Sequence, residues 1–190
     1  GRALGCAIVA GGGVRCWGDL DGQGTFDVRA ERVLRASDGA PLSGATGLVA
    51  GRYHACALVG SEVWCWGRND PSGALGDRTT VGRELAAPAT ELGASARAVV
   101  VANFRTFSIS GDPPVLRGVG EDDEGELGGT APTPAPGWAV SAVTSATTDF
   151  DVLAAGSDAT CFLRGGAPYC WGSGPLLGPT PPVPLEACGG

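Results

Sequence analysis

Apolar residues along this chain come in short runs of strand length rather than in helical periods. Cys56-Ala57-Leu58-Val59 and Glu62-Val63-Trp64-Cys65 flank Gly60-Ser61, and a two-residue connection with Gly first is what a type II′ hairpin wants. Counting outward from that turn sets Val59 opposite Glu62, Leu58 opposite Val63 and Cys56 opposite Cys65. The same count sets Cys161 opposite Cys170 around Gly165-Gly166. Cys6 and Cys16 stand one residue further apart, which 10–13 absorbs as a three-residue or bulged loop. Both faces of these strands are apolar: Cys56, Leu58, Val63 and Cys65 on one, Ala57, Val59, Trp64 and Trp66 on the other. Such strands need cover on both faces, and no helical pattern long enough to supply it is present.

The cover must come from repetition. Cys16-Trp17-Gly18, Cys65-Trp66-Gly67 and Cys170-Trp171-Gly172 recur, with the tryptophans 49 and 105 residues apart. Halving the longer gap leads to Val119-Gly120, a degenerate copy followed by Glu121-Asp122-Asp123-Glu124-Gly125-Glu126-Leu127-Gly128. A strand-entry signal precedes the copies at Val49-Ala50-Gly51-Arg52-Tyr53-His54, Val101-Ala102-Asn103-Phe104 and Leu153-Ala154-Ala155-Gly156. Four units of about 50 residues follow, approximately 1–50, 51–102, 103–155 and 156–190. A period near 50 lies in the range of propeller blades and above that of most β-solenoid repeats. The fold expected is all-β: a β-propeller of four-stranded antiparallel blades with four units present, as part of a seven-bladed ring or as a reduced ring.

Composition supports periodicity over disorder. Of 190 residues 33 are Gly and 14 Pro, which disfavours long helices, while 43% are apolar and 17% charged, enough apolar area to offset chain entropy. The net charge is −7 and every basic residue is Arg. An acidic chain without a basic block disfavours nucleic acid as partner. No stretch is long and apolar enough to span a bilayer, and 1–6 carries no signal-peptide pattern. Absence of Met places the numbered start downstream of a start codon.

The cross-strand cysteines read as disulfides, Cys6–Cys16, Cys56–Cys65 and Cys161–Cys170. In the third unit Phe107 and Gly118 replace both members together, as pairing requires. Counted from the turn these are non-hydrogen-bonded pairs, with Cα atoms about 4.5 Å apart, at the lower end of disulfide geometry. Reduced core thiols are the alternative. Metal is disfavoured by the absence of a Cys-x-x-Cys knuckle and by a single His. Cys188 is odd, a buried thiol or an intermolecular bond. His54, whose place recurs as Leu4 and Thr160, reads as a variable structural position rather than a catalytic one. Asp19-Leu20-Asp21-Gly22 lacks the distal ligands of a calcium loop, and without Lys no phosphate-binding Gly-x-x-x-x-Gly-Lys string exists. Glu121, Asp122, Asp123, Glu124 and Glu126 read as a solvated loop, or as a contact for a cation or basic partner.

Ala50-Gly51-Arg52-Tyr53-His54-Ala55-Cys56-Ala57-Leu58, then Val63-Trp64-Cys65-Trp66-Gly67-Arg68-Asn69 and Gly73-Ala74-Leu75-Gly76, resembles the regulator of chromosome condensation repeat. The resemblance is strong in the second unit, good in the first and fourth, and weak in the third. It implies a seven-bladed propeller, of which four units are a fragment, a reduced ring, or a part completed by further repeats or another chain. A cysteine pair per blade resembles exported bacterial members. The resulting expectation is a non-enzymatic, cofactor-free scaffold that binds a protein partner, secreted or at the cell surface or in the periplasm. Candidate contacts are the inter-unit stretches 25–47, 78–97 and 130–149. A secreted inhibitor or regulator of an enzyme is the alternative. Guanine-nucleotide exchange, the nuclear member's activity, is a further one, although no loop here matches an exchange surface. The signature residues are Trp17, Gly18, Trp66, Gly67, Gly120, Trp171 and Gly172.

Overall fold

The computed structural model describes residues 4–19, 26–69, 71–123, 125–128, 152–156, 159–164, 166–172 and 183–184. They form four antiparallel sheets in chain order. The first holds β1 (Leu4–Val9), β2 (Gly13–Asp19) and β3 (Phe26–Arg32). The second holds β4 (Ala45–Ala50), β5 (His54–Val59), β6 (Glu62–Gly67) and β7 (Arg83–Pro88). The third holds β8 (Ala96–Val101), β9 (Arg105–Ser110) and β10 (Val115–Gly120), and the fourth β11 (Val152–Ala155), β12 (Ala159–Arg164), β13 (Ala167–Gly172) and β14 (Val183–Pro184). A 3-10 turn at Thr90–Leu92 is the only helical element among the described residues. The chain is an all-β propeller segment. Two sheets have four strands, and the first and third have three among the described residues.

The hairpins pair as counted from their turns: Val59 faces Glu62 and Cys56 faces Cys65, Cys161 faces Cys170, and Val9 faces Gly13 across a three-residue loop. Gly60 takes φ +61°, as the first residue of a type II′ turn must. All three cysteine pairs are disulfide-bonded, each with Cα atoms 4.1 Å apart, the close approach of non-hydrogen-bonded cross-strand neighbours. In the third sheet Phe107 faces Gly118. A Cβ on Gly118 would lie 2.7 Å from the Phe107 ring, so the aromatic ring lies over the glycine and fills the space a disulfide takes elsewhere.

Sequence units and sheets are offset by one strand. β4 precedes Gly51, yet it pairs with β5, and β8 and β11 stand in the same relation to β9 and β12. The register also places His54, Leu4, Arg105 and Ala159 at one equivalent position, each opposite a signature glycine. Thr160 lies one residue further on and corresponds to Thr106, which corrects the assignment of Thr160 as the sibling of His54.

The sheets stack in one direction. The cysteine face of the first sheet (Leu4, Cys6, Val14, Cys16) packs on the tryptophan face of the second (Ala55, Ala57, Trp64, Trp66). Cys56, Leu58, Val63 and Cys65 of the second pack on Val99, Val101 and Val119 of the third. Phe107, Ile109 and Leu116 of the third pack on Phe162, Tyr169 and Trp171 of the fourth. Trp66 and Trp171 are wholly buried, whereas Trp17, whose sheet has no neighbour on that side among the described residues, is 41% exposed. Each sheet thus covers a face that its neighbour could not bury alone.

Candidate protein-binding rim

One turn recurs where each inner strand begins. Gly51 N–H donates to His54 O, Ala102 N–H to Arg105 O and Gly156 N–H to Ala159 O, at 2.8–2.9 Å. The residue before the inner strand is then gripped by the stretch after the signature glycine: Arg68 N–H donates to Tyr53 O at 2.8 Å, and Glu121 N–H to Phe104 O at 3.0 Å. That approach needs glycine. Gly67 and Gly120 sit at φ +111° and +118°, and a Cβ on Gly120 would lie 2.1 Å from Phe104 O.

Identical anchoring of adjacent sheets brings two aromatic rings together. Tyr53 and Phe104 stack with centroids 4.4 Å apart and planes 15° from parallel. Arg52 lies over Tyr53 at 5.1 Å, and Arg68 lies 5.5 Å from the Tyr53 ring and 5.6 Å from that of Phe104. Such contacts hold guanidinium groups in place with about 0.5–1 kcal/mol each at exposed sites. Arg52 is exposed, and the other three are half-buried.

The floor beneath is rigid and polar. Ser72 Oγ donates to Phe104 O at 3.1 Å. Asn69, buried, accepts Leu75 N–H at 2.8 Å and donates to Thr79 O at 2.7 Å. Asp77 pairs with Arg83 and accepts Thr79 N–H at 3.0 Å. In the third sheet Asp122 takes the place of Asn69, accepting Leu127 N–H at 2.8 Å. The acidic stretch is therefore not simply a solvated loop: Asp122 and Glu126 are buried, and Glu126 pairs with the buried Arg105 at 3.2 Å. Glu124 lies outside the described residues. Among those residues no group of three or more His, Cys, Asp or Glu could hold a metal ion.

His54 lies under the rim, fully buried. Thr106 Oγ1 donates to Ala74 O at 2.7 Å, so it accepts from His54 Nε2–H, 2.6 Å away. Nδ1 is left as the bare nitrogen and has no hydrogen-bond partner. Burial lowers the pKa from 6.5 to about 4, with the carbonyls of Asn103 and Arg105 favouring the protonated ring and offsetting part of that. No substrate can reach this ring, so its role is structural. The unfolded chain takes up the proton first as pH falls. The contribution to stability is therefore complete above the unfolded pKa and is lost as pH falls from about 6.5 to about 4, to a total of about 3 kcal/mol. His54→Leu, which installs the Leu4 side chain, is expected to flatten this part of the profile in denaturant titrations. An unchanged slope would contradict the assignment.

The stretches read as inter-unit contacts are partly core. β3 and β4 occupy much of 25–47, where Val33 and Leu42 are buried. In 78–97, Leu92 is buried, but Val81 (69%) and Leu85 (40%) are exposed beside a shallow cleft of about 470 Å³ lined by Ala36, Thr79 and Glu84. That segment adjoins the rim, since a Cβ on Gly82 would lie 3.4 Å from the Arg68 Cα. All of 130–149, like Cys188 and residues 20–25, lies outside the described residues. Sequence reading missed Tyr53 and Phe104. The available signal was an aromatic residue three positions before Cys56 and, again, three before Phe107.

No family model matches the chain, and no curated protein does. Solved structures do. Yeast RCC1 (Prp20), in a crystal structure with Kap60, is 18% identical with a TM-score of 0.69, over 92% of this chain and 41% of that one. Human WBSCR16 is 13% identical with a TM-score of 0.74, over 100% and 52%. The ectodomain of the Physcomitrella patens receptor kinase CR4 is 25% identical with a TM-score of 0.54, over 92% and 38%. The chain spans about two fifths to one half of the length of these proteins. The shared feature is the propeller fold.

Proposed function

We propose that this chain is a propeller segment of the regulator of chromosome condensation repeat type that acts outside the cytoplasm as a non-enzymatic protein-binding scaffold. The observation that carries the reading is the rim of Arg52, Tyr53, Arg68 and Phe104. Tyr and Arg are the residue types enriched at interface hot spots, because they present large rigid area and forked donors at little entropic cost. Here two adjacent sheets hold them in fixed positions, with exposed Val81 on the neighbouring turn. Three disulfides within single hairpins support an oxidising compartment. A protein partner agrees with the yeast RCC1 structure, which was solved bound to Kap60. The exchange activity of the nuclear member is not carried over.

The test starts from a partner captured from the secreted fraction of the source cells, identified and purified. Titration of that partner against Tyr53→Ala/Phe104→Ala is expected to show affinity lowered about thirtyfold or more, the range of a lost hot spot, with Leu85→Ser as a control outside the stacked pair. Thermal unfolding of each variant is followed in parallel. Unchanged affinity in a folded double variant would place the binding surface elsewhere.

A further inference from the structure

The rim between the second and third sheets has a polarity that narrows what can dock on it. Arg52 is exposed, with its guanidinium carbon 5.1 Å from the centre of the Tyr53 ring. An aromatic face attracts a cation but offers no lone pair, so the N–H fork of Arg52 keeps its donor capacity. Elsewhere Arg35, Arg78, Arg83 and Arg105 each meet a carboxylate. Arg52 meets none among the described residues, in a chain whose acidic residues outnumber its basic ones, 20 against 13. A cation held in place with its fork open is one half of an ion pair. The charge then changes sign across the stacked rings. Arg68 N–H donates to Tyr53 O and Glu121 N–H to Phe104 O, so Glu121 holds in the third sheet the place that Arg68 holds in the second. Asp123, exposed, continues the acidic side. Arg68, Glu121 and Asp123 have interactions of their own, and they set the field in which Arg52 stands.

We infer that Arg52 receives the carboxylate of an Asp or Glu side chain of the protein partner, which docks with its acidic side over Tyr53 and away from Glu121. This rests on the rim being the binding surface. A guanidinium takes a carboxylate through two parallel N–H···O bonds. The ring beneath holds the fork before the partner arrives, so less side-chain freedom is lost on binding. Opposite charge steers the encounter, and Glu121 penalises the reversed orientation by like-charge repulsion. A nucleic-acid strand fits less well, because its phosphates would run on past Arg52 over Glu121 and Asp123, on a chain of net charge −7.

The sequence supplies its own probe. The chain contains no Lys, so Arg52→Lys introduces the only side-chain amine. In the complex with the purified partner, a water-soluble carbodiimide should join that amine as an amide to a contacting carboxylate, the water lost being taken up as a urea. Peptide mapping is expected to place one cross-link between position 52 and an Asp or Glu of the partner, and none there in wild type. In titrations Arg52→Lys is expected to bind within about threefold of wild type, and Arg52→Glu about thirtyfold or more weaker, because it sets a like charge against the carboxylate. Wild-type affinity should fall with added salt, and Arg52→Ala should flatten that dependence. Arg52 is exposed, so thermal unfolding of all three variants should match wild type. Wild-type affinity in Arg52→Glu, or a bound Arg52→Lys that gives no cross-link, would overturn the inference. So would release of the partner by nuclease, which would make a phosphate the ligand. If Tyr53→Ala/Phe104→Ala loses affinity while Arg52→Glu keeps it, the rim binds through its rings and only the carboxylate assignment falls. If neither variant changes affinity, the binding surface lies elsewhere and both fall.

Discussion

Arg105→Ala is expected to destabilise the chain by about 3–5 kcal/mol, the range found when one member of a buried ion pair is removed and the other remains. Arg105 is 1% exposed and its Nη1 lies 3.2 Å from Glu126 Oε1. Deleting the guanidinium leaves a carboxylate in the core, or forces it to take up a proton. The repeat supplies the control. Leu4 stands at the Arg105 position in the first sheet, and the Glu-Leu-Gly of 126–128 corresponds to Ala74-Leu75-Gly76. Arg105→Leu/Glu126→Ala therefore combines the first sheet's Leu4 with the second sheet's Ala74, an apolar pair in place of the ion pair, and it is expected to recover most of the loss. A double-mutant cycle in denaturant measures the coupling. A single variant costing under about 1 kcal/mol would mean that water reaches the pair, and would contradict a buried ion pair.

The second large effect separates two tryptophans that the sequence presents as equivalent. Trp66→Ala and Trp171→Ala should each cost about 3–5 kcal/mol, since both side chains are wholly buried between sheets. The phenylalanine variants should diverge. Trp171 Nε1 donates to Glu126 O at 2.7 Å, whereas Trp66 Nε1 is buried without a hydrogen-bond partner. Trp171→Phe removes the donor from a buried carbonyl, and Trp66→Phe removes a donor that had no acceptor. Trp171→Phe is expected to cost more by about 1–3 kcal/mol, the desolvation penalty of a buried group left unpaired. Equal costs, or a larger cost at Trp66, would contradict the hydrogen-bonding assignment.

These two cases show what the sequence does and does not carry. Strand pairing within a hairpin was legible because it is local. Cys56 and Cys65 are counted from a turn whose residues fix its type, and alternation assigns the faces. The stacking of sheets was legible in outline, since strands apolar on both faces require neighbours. The offset between units and sheets was not, because the recurring string begins at the entry turn while β4, β8 and β11 lie upstream of it. The fate of the acidic stretch was hidden for a related reason. Density of charge suggests solvent, and only the pairing of β9 with β10, with the turn that follows Gly120, shows Arg105 beside Glu126 and Asp122 capping a turn. The rim was hidden as well. Tyr53 and Phe104 are 51 positions apart in the chain, and their stacking follows from how two equivalent turns are juxtaposed.

Three of the sheets are stapled across their own hairpins, and the proposed function needs a compartment that keeps cystine oxidised. Peptide mapping without reduction, on protein purified from its source with thiols blocked at lysis, tests this most directly. The expected links are Cys6 to Cys16, Cys56 to Cys65 and Cys161 to Cys170, each within one hairpin. Free thiols at all six positions, or links that join different sheets, would contradict it.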